Sequence, residues 1–269
     1  MKMSGRDGKP GFGGMGTVGV SSGTGNSGSL GGWAVGNTPV FLSDGLALPL
    51  PKGSDFVLQM HFHPTGKVET EKSMVGIYFA GKAPEHRLWA VQVPALFGVG
   101  SGIDIPAGMK NYTLDDSLTL PVDMIAYSVG AHAHYVGKEM KATATLPDGT
   151  VKPLLWIQDW DFAWQDRYNY KDPVALPKGT RIDVHLAYDN SAGNPRNPSN
   201  PPQRVQWGEQ SFDEMGSVTI QAVAAHQEDE AQLQQFFAGR MRAAIQNAMK
   251  DGTAQRLLQE QRASQAADR

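Results

Sequence analysis

The stretch Ala142-Thr-Ala-Thr-Leu-Pro-Asp-Gly-Thr-Val-Lys-Pro-Leu-Leu-Trp-Ile157 predicts a β-hairpin and, with its surroundings, the fold class. Its two halves flank Asp148-Gly149, a dipeptide that is typical of tight hairpin turns. Similar turn signals, Ile105-Pro-Ala-Gly108 and Leu176-Pro-Lys-Gly179, each precede another extended run. No helical pattern occurs before residue 226. Strand signals at this spacing predict an all-β fold, an antiparallel, jelly-roll-like β-sandwich.

The composition agrees with a β-rich protein and excludes several functional classes. The 269 residues allow two modest domains, and 31 glycines with 17 prolines fit many short strands joined by turns. A formal net charge of −3 gives no basic surface for nucleic acid. No apolar run reaches the roughly 20 residues of a membrane-spanning helix. Cysteine is absent, which excludes disulfides and thiolate metal sites.

The end of the chain changes from strand to helix periodicity. Apolar residues follow the i, i+3, i+4, i+7 spacing of one helical stripe: Leu233, Phe236, Phe237, Met241, Ala244, Ile245, Ala248 and Met249. The acidic residues Glu228, Asp229 and Glu230 lie at the predicted start, where they favour the helix dipole. We expect one C-terminal helix that docks on the sandwich or mediates self-association.

A His-x-His pair lies in Ser128-Val-Gly-Ala-His-Ala-His-Tyr-Val136, which has the alternation of a strand. Alternation places His132 and His134 on one face with Gly130. The other face is apolar and carries Val129, Ala131, Ala133 and Tyr135. The two histidine Cα atoms would lie about 6.7 Å apart, so both imidazoles can converge on one metal ion.

A methionine in a polar setting accompanies this pair. The segment Met215-Gly-Ser-Val-Thr-Ile-Gln-Ala222 predicts a strand whose apolar side carries Val218 and Ile220, and Met215 falls on the other side. A thioether beside two imidazoles suits Cu(I), which prefers soft sulfur ligands. The residues alone leave open a structural interpretation, in which Met215 fills the core and the histidines bind no metal.

Several segments resemble one known family, the copper type II, ascorbate-dependent monooxygenases of the dopamine β-monooxygenase and peptidylglycine α-hydroxylating monooxygenase type. The run from Ala131 to Gly149 is similar to the metal motif of that family's second domain, and Asp213-Glu-Met-Gly216 resembles its methionine-ligand motif. Gln59-Met-His-Phe-His-Pro64 resembles the strand at the end of its first domain. Residues 156–164 and 188–198 are similar to bacterial members, so the resemblance covers about residues 30 to 225.

The resemblance implies a copper-dependent enzyme that hydroxylates a C–H of a small-molecule substrate with dioxygen and takes electrons from ascorbate. His132, His134 and Met215 would be the catalytic metal ligands at the oxygen-binding copper. His61 would ligate a second, electron-transfer copper.

The resemblance also bears on the substrate. Peptide-amidating members hold a carboxylate with an arginine two residues before the first histidine and a tyrosine four residues after the methionine. Gly130 and Thr219 occupy those positions here. We therefore do not expect a glycine-extended peptide as the substrate.

The second copper site is incomplete in this sequence. The seven histidines include no adjacent pair, which the family's electron-transfer site requires. We expect an N-terminally truncated enzyme: residues 1–72 form a Gly-rich arm and remnant of the first copper domain, 73–226 the second copper domain, and 227–269 a helical tail. The alternatives are a non-catalytic copper-binding β-sandwich module that retains only the His-His-Met site, or a purely structural sandwich.

The family's signal peptide implies that the full-length protein is extracytoplasmic, in the periplasm or secreted. Met1-Lys2 is not followed by the apolar run of a signal peptide in this chain.

Three further expectations concern other segments. Residues 55–63 predict a strand with Leu58, Met60 and Phe62 on its apolar face. An aromatic cluster can either line a substrate pocket or fill the core at a strand edge; it consists of Trp156, Trp160, Phe162 and Trp164. Surface or satisfied polar roles are expected for the remaining histidines, namely His86, His185 and His226.

Overall fold

The computed structural model describes residues 30–33, 41, 42, 45–58, 60, 62 and 65–267. The strands in this part of the chain are β1 (Leu46–Ala47), β2 (His86–Val93), β3 (Asp104–Ile105), β4 (Tyr112–Thr119), β5 (Met124–Ala133), β6 (Gly137–Thr145), β7 (Val151–Ile157), β8 (Arg167–Leu176), β9 (Arg181–Tyr188), β10 (Val205–Gln206) and β11 (Gly216–Ala224). Two helices follow them, α1 (Glu230–Lys250) and α2 (Thr253–Ala267).

The long strands form two sheets. One has the order β1-β2-β11-β5-β8 and the other β4-β9-β6-β7, while β10 pairs with β3. The short β1 runs parallel to β2, and the other pairings are antiparallel. Without β1, the orders β2-β11-β5-β8 and β4-β9-β6-β7 are those of a jelly roll, in which two Greek keys give two four-stranded sheets. The predicted all-β, antiparallel sandwich is confirmed.

The core lies between the two sheets because each strand alternates. In β11 the predicted apolar residues Val218 and Ile220 are buried, and Thr219 between them is partly exposed. In β9 of the opposite sheet, Ile182 and Leu186 are fully buried. Full burial of one such aliphatic side chain stabilises the fold by about 1.5–3 kcal/mol, so alternation over the long strands specifies which face is inside.

The predicted hairpin joins β6 to β7. Gly149 has φ +84°, a conformation that favours glycine, and its N–H donates to the Leu146 carbonyl at 2.9 Å. The Asp148 carboxylate accepts the Thr150 N–H at 2.8 Å. Pro153 lacks an N–H and lies on β7, an edge strand, where the pairing with β6 shifts register.

The predicted C-terminal helix is confirmed as α1, which docks on the sandwich, and a second helix, α2, follows it. Trp89 of β2 donates from Nε1 to Glu230 at 2.9 Å, and its ring lies 5.5 Å from that of Phe237. α1 ends at Lys250 and α2 begins at Thr253. Gly252 between them has φ +86°, a left-handed conformation that is typical of the residue after a helix. No helix in the described part of the chain is long and apolar enough to cross a membrane.

The strand predicted at residues 55–63 is wrong for the residues that the structure describes there. Residues 55–58, 60 and 62 have no regular secondary structure, and Leu58 and Phe62 of the predicted apolar face are exposed. Alternation alone does not make a strand, since the chain also needs a neighbouring strand to bond and a core to cover. Gln59, His61 and His63 lie outside the described residues.

Candidate metal centre

The two histidines meet at the end of β5. His132 is the last residue but one of the strand, and His134 is the first residue after it. Their ring centroids are 5.2 Å apart and the ring planes are nearly perpendicular, at 89°. His134 is 5% exposed, whereas His132 is partly exposed. The structure thus brings together the two imidazoles that alternation placed on one face.

Met215 directly precedes β11, which pairs with β5. Ser217 pairs with His132 and Gly216 with Ala133. Continuing this antiparallel register places Met215 opposite His134 on the same face. The methionine side chain is 2% exposed and belongs to the buried apolar set. The predicted ligand of the second copper, His61, lies outside the described residues.

Hydrogen bonds fix the tautomer of both rings. His132 Nδ1 lies 2.7 Å from Gln165 Oε1, and the amide is oriented by its own Nε2, which donates to the Phe162 carbonyl at 3.0 Å. His134 Nδ1 lies 3.1 Å from the Asp213 carbonyl. Carbonyl oxygens only accept, so each ring donates from Nδ1–H, and the neutral form of each ring then has its lone pair on Nε2. A ring held in this way is the form that ligates a metal.

A buried carboxyl accepts hydrogen bonds from the backbone N–H groups of two candidate ligands. Glu214 is 0% exposed, and its Oε1 accepts the N–H groups of His134 and Met215, the latter at 2.8 Å. Its Oε2 has no hydrogen-bond partner among the described residues. Burial raises the pKa of Glu214 to about 8, although nearby backbone N–H groups, including those of Val136 and Gly137, oppose part of the rise. The carboxyl is therefore protonated at neutral pH.

Close packing also holds the backbone at Met215 and His134, on the side away from Glu214. The Tyr188 hydroxyl donates to the Met215 carbonyl at 3.1 Å, and burial raises the pKa of Tyr188 well above its usual value. Gly216 has no space for a side chain, because a Cβ there would overlap the Tyr188 hydroxyl oxygen and lie 2.7 Å from Leu186. Trp160 donates from Nε1 to the His134 carbonyl at 3.1 Å. The backbone of both candidate ligands is therefore fixed from several sides.

Aromatic rings flank both imidazoles. The Phe97 ring lies 5.2 Å from that of His132, and the Phe162 ring lies 6.0 Å from that of His134. Phe97 has φ +55°, which is uncommon for a large side chain. Its N–H donates to Gln92 at 3.2 Å and its carbonyl accepts Trp207 Nε1 at 2.9 Å, which compensates this strained conformation.

The four aromatic residues predicted either to line a pocket or to fill the core do not share one role. Trp160 is 1% exposed and lies in the core, and Phe162 contacts the histidine site. Trp156 and Trp164 are 58% and 64% exposed and fill no core.

The other described histidines have surface roles, as expected. His185 pairs with Asp115 at 2.7 Å, and His226 lies 3.8 Å from Asp123. His86 is partly buried at the start of β2.

The donor set fits copper better than a harder metal. In the described part of the chain, no three side chains of His, Asp or Glu are placed to share a metal ion. The candidate third donor is the thioether of Met215, which precedes β11 and lies opposite His134 by strand register. Zinc sites use thiolate, imidazole or carboxylate, whereas two imidazoles with a thioether suit Cu(I).

Two residues of the site were not predicted from the sequence, namely Gln165 and Glu214. Gln165 is separated from His132 by 33 positions and no local pattern marks it. Glu214 lies inside the methionine motif, and the one available signal was an acidic residue directly before a predicted strand.

Comparisons with known proteins do not identify the chain. No family model matches it, and no curated protein matches it. Among solved structures it is similar to that of infectious bursal disease virus strain Gt, with 11% identity, a TM-score of 0.24, and coverage of 56% of this chain and 35% of that chain. For strain Gx the identity is 13%, the TM-score 0.22, and the coverage 56% and 37%. The chain spans little more than a third of these structures, and likenesses this weak carry no argument about its function.

Proposed function

We propose that this chain forms the oxygen-activating copper centre of a copper- and ascorbate-dependent monooxygenase that hydroxylates a C–H of a small-molecule substrate. One observation carries the proposal: both imidazoles donate from Nδ1 to a neutral carbonyl oxygen, and the buried Met215 lies opposite His134 by strand register. The sequence motifs around His132 and Met215 support it independently.

The residues present would hold copper through Nε2 of His132, Nε2 of His134 and the sulfur of Met215. Bound copper would supply the one-electron redox chemistry for dioxygen activation, with ascorbate as the electron source. Three protein ligands leave a coordination position for a small molecule, which a structural site would fill with a fourth ligand.

The surrounding residues have separate tasks in this proposal. Gln165 and the Asp213 carbonyl keep the proton on Nδ1 of each ring. The protonated Glu214 fixes the ligand backbone without placing a negative charge behind the centre. Phe97 and Phe162 pack against the imidazoles of His132 and His134 as apolar neighbours.

The alternative is a copper-binding module without catalysis. It is favoured by one observation, since the sequence has no adjacent histidine pair for a second copper. The two proposals differ in whether oxygen consumption is coupled to the formation of hydroxylated product, as the enzyme requires and the non-catalytic module does not.

Copper stoichiometry tests the metal centre itself. The purified chain is loaded with copper, desalted and submitted to elemental analysis, and we expect close to one tightly bound copper per chain. A His132→Ala, His134→Ala double variant should lose it. The matched control is a His185→Ala, His226→Ala variant, which should retain it. Equal copper contents in the two double variants would contradict the proposal.

Coupling tests catalysis. Oxygen uptake with ascorbate and hydroxylated product are measured side by side on copper-loaded protein, with phenethylamine-like and hydrocarbon-like substrates. Since the sequence has no adjacent histidine pair for a second copper, we expect slow, uncoupled oxygen consumption from this chain alone. Coupled turnover on the order of 1 per second or more would show that one copper suffices.

A further inference from the structure

A cavity of about 430 Å³ lies on the outer face of the sheet β4-β9-β6-β7, opposite the sheet that carries His132. Its volume falls within the range of about 300–1,000 Å³ that is usual for small-molecule sites. A row of short side chains crosses the cavity, since Ser117 pairs with Asp183, and Asp183 pairs with Thr143. Longer side chains on both sides of this row create the depression.

Ion pairs hold two of the longer side chains beside the row. Arg181 Nε lies 2.8 Å from Oδ1 of Asp183, and His185 Nδ1 lies 2.7 Å from Oδ1 of Asp115. A carboxylate has two oxygens with about four lone-pair positions, so both carboxylates keep the capacity to accept further hydrogen bonds. The hydroxyls of the row can donate as well as accept.

The charges around the cavity balance. The two carboxylates of these ion pairs are matched by Lys141 and Arg181, which also line the cavity. A third carboxylate there, that of Asp116, pairs with Arg240 at 3.0 Å. The cavity therefore favours neither an anion nor a cation, and it offers donors and acceptors side by side to an uncharged polar ligand.

An exposed tryptophan continues the same face at the edge of the sheet. Trp156 of β7 pairs with Lys141 of β6, whose ammonium lies 5.3 Å from the centre of the indole ring. The indole N–H donates to Glu139 at 2.8 Å. Trp156 is nevertheless 58% exposed, so a large apolar surface is held in water in a fixed orientation. A ligand that stacks on such a preorganised ring loses little of its binding free energy to ordering the protein.

Strand pairing connects the tryptophan to the cavity. Asp115, His185, Lys141 and Trp156 form one row that crosses all four strands. At about 4.8 Å between neighbouring strands, Trp156 lies about 10 Å from His185 and about 14 Å from Asp115. A ligand that contacts both the indole and the cavity is therefore an extended chain of more than one ring.

We propose that this face binds a neutral oligosaccharide, with one sugar ring stacked on Trp156 and another in the cavity. A pyranose ring has an apolar face of C–H groups that matches an indole, and its hydroxyls each donate and accept hydrogen bonds. Hydrogen bonds from hydroxyls to carboxylates are among the stronger ones, which suits Asp115 and Asp183. A β-1,4-linked chain fits best, because such chains are extended and flat like the row of side chains.

The experiment uses the full chain without copper, because the face lies on the sheet opposite His132. Cellotriose, xylotriose and chitotriose are titrated by calorimetry and by tryptophan fluorescence, and glucose, maltotriose and trigalacturonate are titrated in parallel. We expect at least one of the three β-1,4-linked sugars to bind saturably and more tightly than glucose, since only a chain reaches both contacts. No binding of these three, or tighter binding of glucose, maltotriose or trigalacturonate, would overturn the proposal.

Tryptophan variants locate the stacking contact. Trp156→Ala should weaken binding of the best trisaccharide about tenfold or more, since a tryptophan at the centre of a contact carries much of its binding free energy. Trp156→Phe keeps an aromatic ring and should lie between. Trp164→Ala is the matched control, because Trp164 is 64% exposed but lies in the loop before β8, outside the row. Equal affinities of Trp156→Ala and Trp164→Ala would contradict the stacking contact.

Threonine variants locate the contact in the cavity. Thr143→Val keeps the shape of the side chain and removes its hydroxyl, so we expect binding to weaken about threefold or more. Thr113→Val is the control, because Thr113 is an exposed residue of β4 that does not line the cavity. Equal affinities of these two variants would place the sugar outside the cavity and overturn the proposal. If Trp156→Ala does not fold, Trp156→Phe and the threonine pair decide the matter.

The copper ligands provide a last control. The His132→Ala, His134→Ala variant should bind the trisaccharide like the unchanged chain. Loss of copper binding with sugar binding intact would strike the copper proposal and leave the sugar site. Loss of sugar binding in this variant, with the fold retained, would show that the sugar binds at the histidine site and would overturn the assignment to the opposite sheet.

Discussion

The outer faces of the two sheets both carry histidine and arginine, but these side chains have different hydrogen-bond partners on the two faces. On the four-stranded sheet, His185 pairs with the Asp115 carboxylate and Arg181 pairs with Asp183, in partly or fully exposed positions. On the larger sheet, His132 is bound by the neutral oxygen of Gln165. Arg167 on that sheet is likewise bound by a neutral amide.

This difference separates a solvated charged surface from a candidate metal centre. Carboxylate partners stabilise the charged forms of histidine and arginine and complete their interactions. A carbonyl partner orients an imidazole through Nδ1–H without placing an opposite charge beside the ring, which is the arrangement found around metal-ligating histidines. The position of a histidine on a polar strand face is therefore less informative than the charge of its hydrogen-bond partner.

The largest expected effect is on packing behind the candidate centre. Gly216→Ala places a Cβ against the Tyr188 hydroxyl and Leu186, so we expect a loss of about 3 kcal/mol or more in the free energy of unfolding. Gly239→Ala in α1 is the control, because no atom lies within 4 Å of its Cβ position, and it should stabilise by about 0.5–1 kcal/mol. Chemical denaturation measures both. Similar stabilities would show that β11 does not need glycine at its start.

The pH dependence of stability contrasts a buried carboxyl with an exposed one. Burial raises the folded pKa of Glu214 to about 8, above its usual value of 4.5, so the folded state keeps a proton that the unfolded state loses. Its contribution is complete below about pH 4.5 and is lost as the pH rises through 8. Glu214→Gln keeps an acceptor and should remove this loss, on the order of 3 kcal/mol between pH 5 and 9.

Asp115→Asn is the control for this pH profile, because Asp115 is exposed beside His185. It should leave the slope of stability between pH 5 and 9 close to that of the unchanged chain. An unaltered slope in Glu214→Gln would mean that Glu214 is ionised in the folded protein at neutral pH.

The next effect concerns the tautomer of His132. Gln165→Leu has similar size but cannot accept from Nδ1, so copper affinity should fall 10–100-fold, as for other losses of a ligand's supporting hydrogen bond. Gln165→Glu retains an acceptor and should restore most of the affinity. Competition titrations with a Cu(I) chelator compare the three proteins. If leucine and glutamine give the same affinity, the hydrogen bond does not prepare the ring for metal.

The smallest effect is expected on the four-stranded face. His185→Gln breaks the pair with Asp115, and exposed pairs contribute about 0–1 kcal/mol. Thermal unfolding should change little and copper affinity should not change. A fall in copper affinity comparable with that of Gln165→Leu would remove the distinction between the two faces.

Local periodicity was sufficient for much of the fold. Alternation assigned the two faces around His132, and Asp148-Gly149 marked the hairpin, because each depends on residues close in sequence. The same alternation gave a wrong prediction at residues 55–58, which pair with no strand in the described part of the chain. The helical stripe that ends at Met249 marked α1, whereas α2, which follows Gly252 with its positive φ, was not predicted separately.

The candidate site was less accessible from the sequence than the fold. His132, His134 and Met215 were found because residue type and strand face are local properties. Their supports are non-local: Gln165 lies 33 positions from His132, and Glu214 lies 80 positions from His134. Strand register brings such residues together, and no periodic signal encodes it.

The most direct test of the proposed centre is X-ray absorption of the Cu(I)-loaded chain, because it identifies the atoms bound to the metal. We expect nitrogen scatterers together with one sulfur scatterer in the unchanged protein. Met215→Leu keeps a similar volume and should retain the fold while losing the sulfur. Met140→Leu, at a fully buried methionine of β6 on the opposite sheet, is the control and should retain it. Identical spectra of the unchanged chain and Met215→Leu would contradict the account and leave Met215 as a core residue.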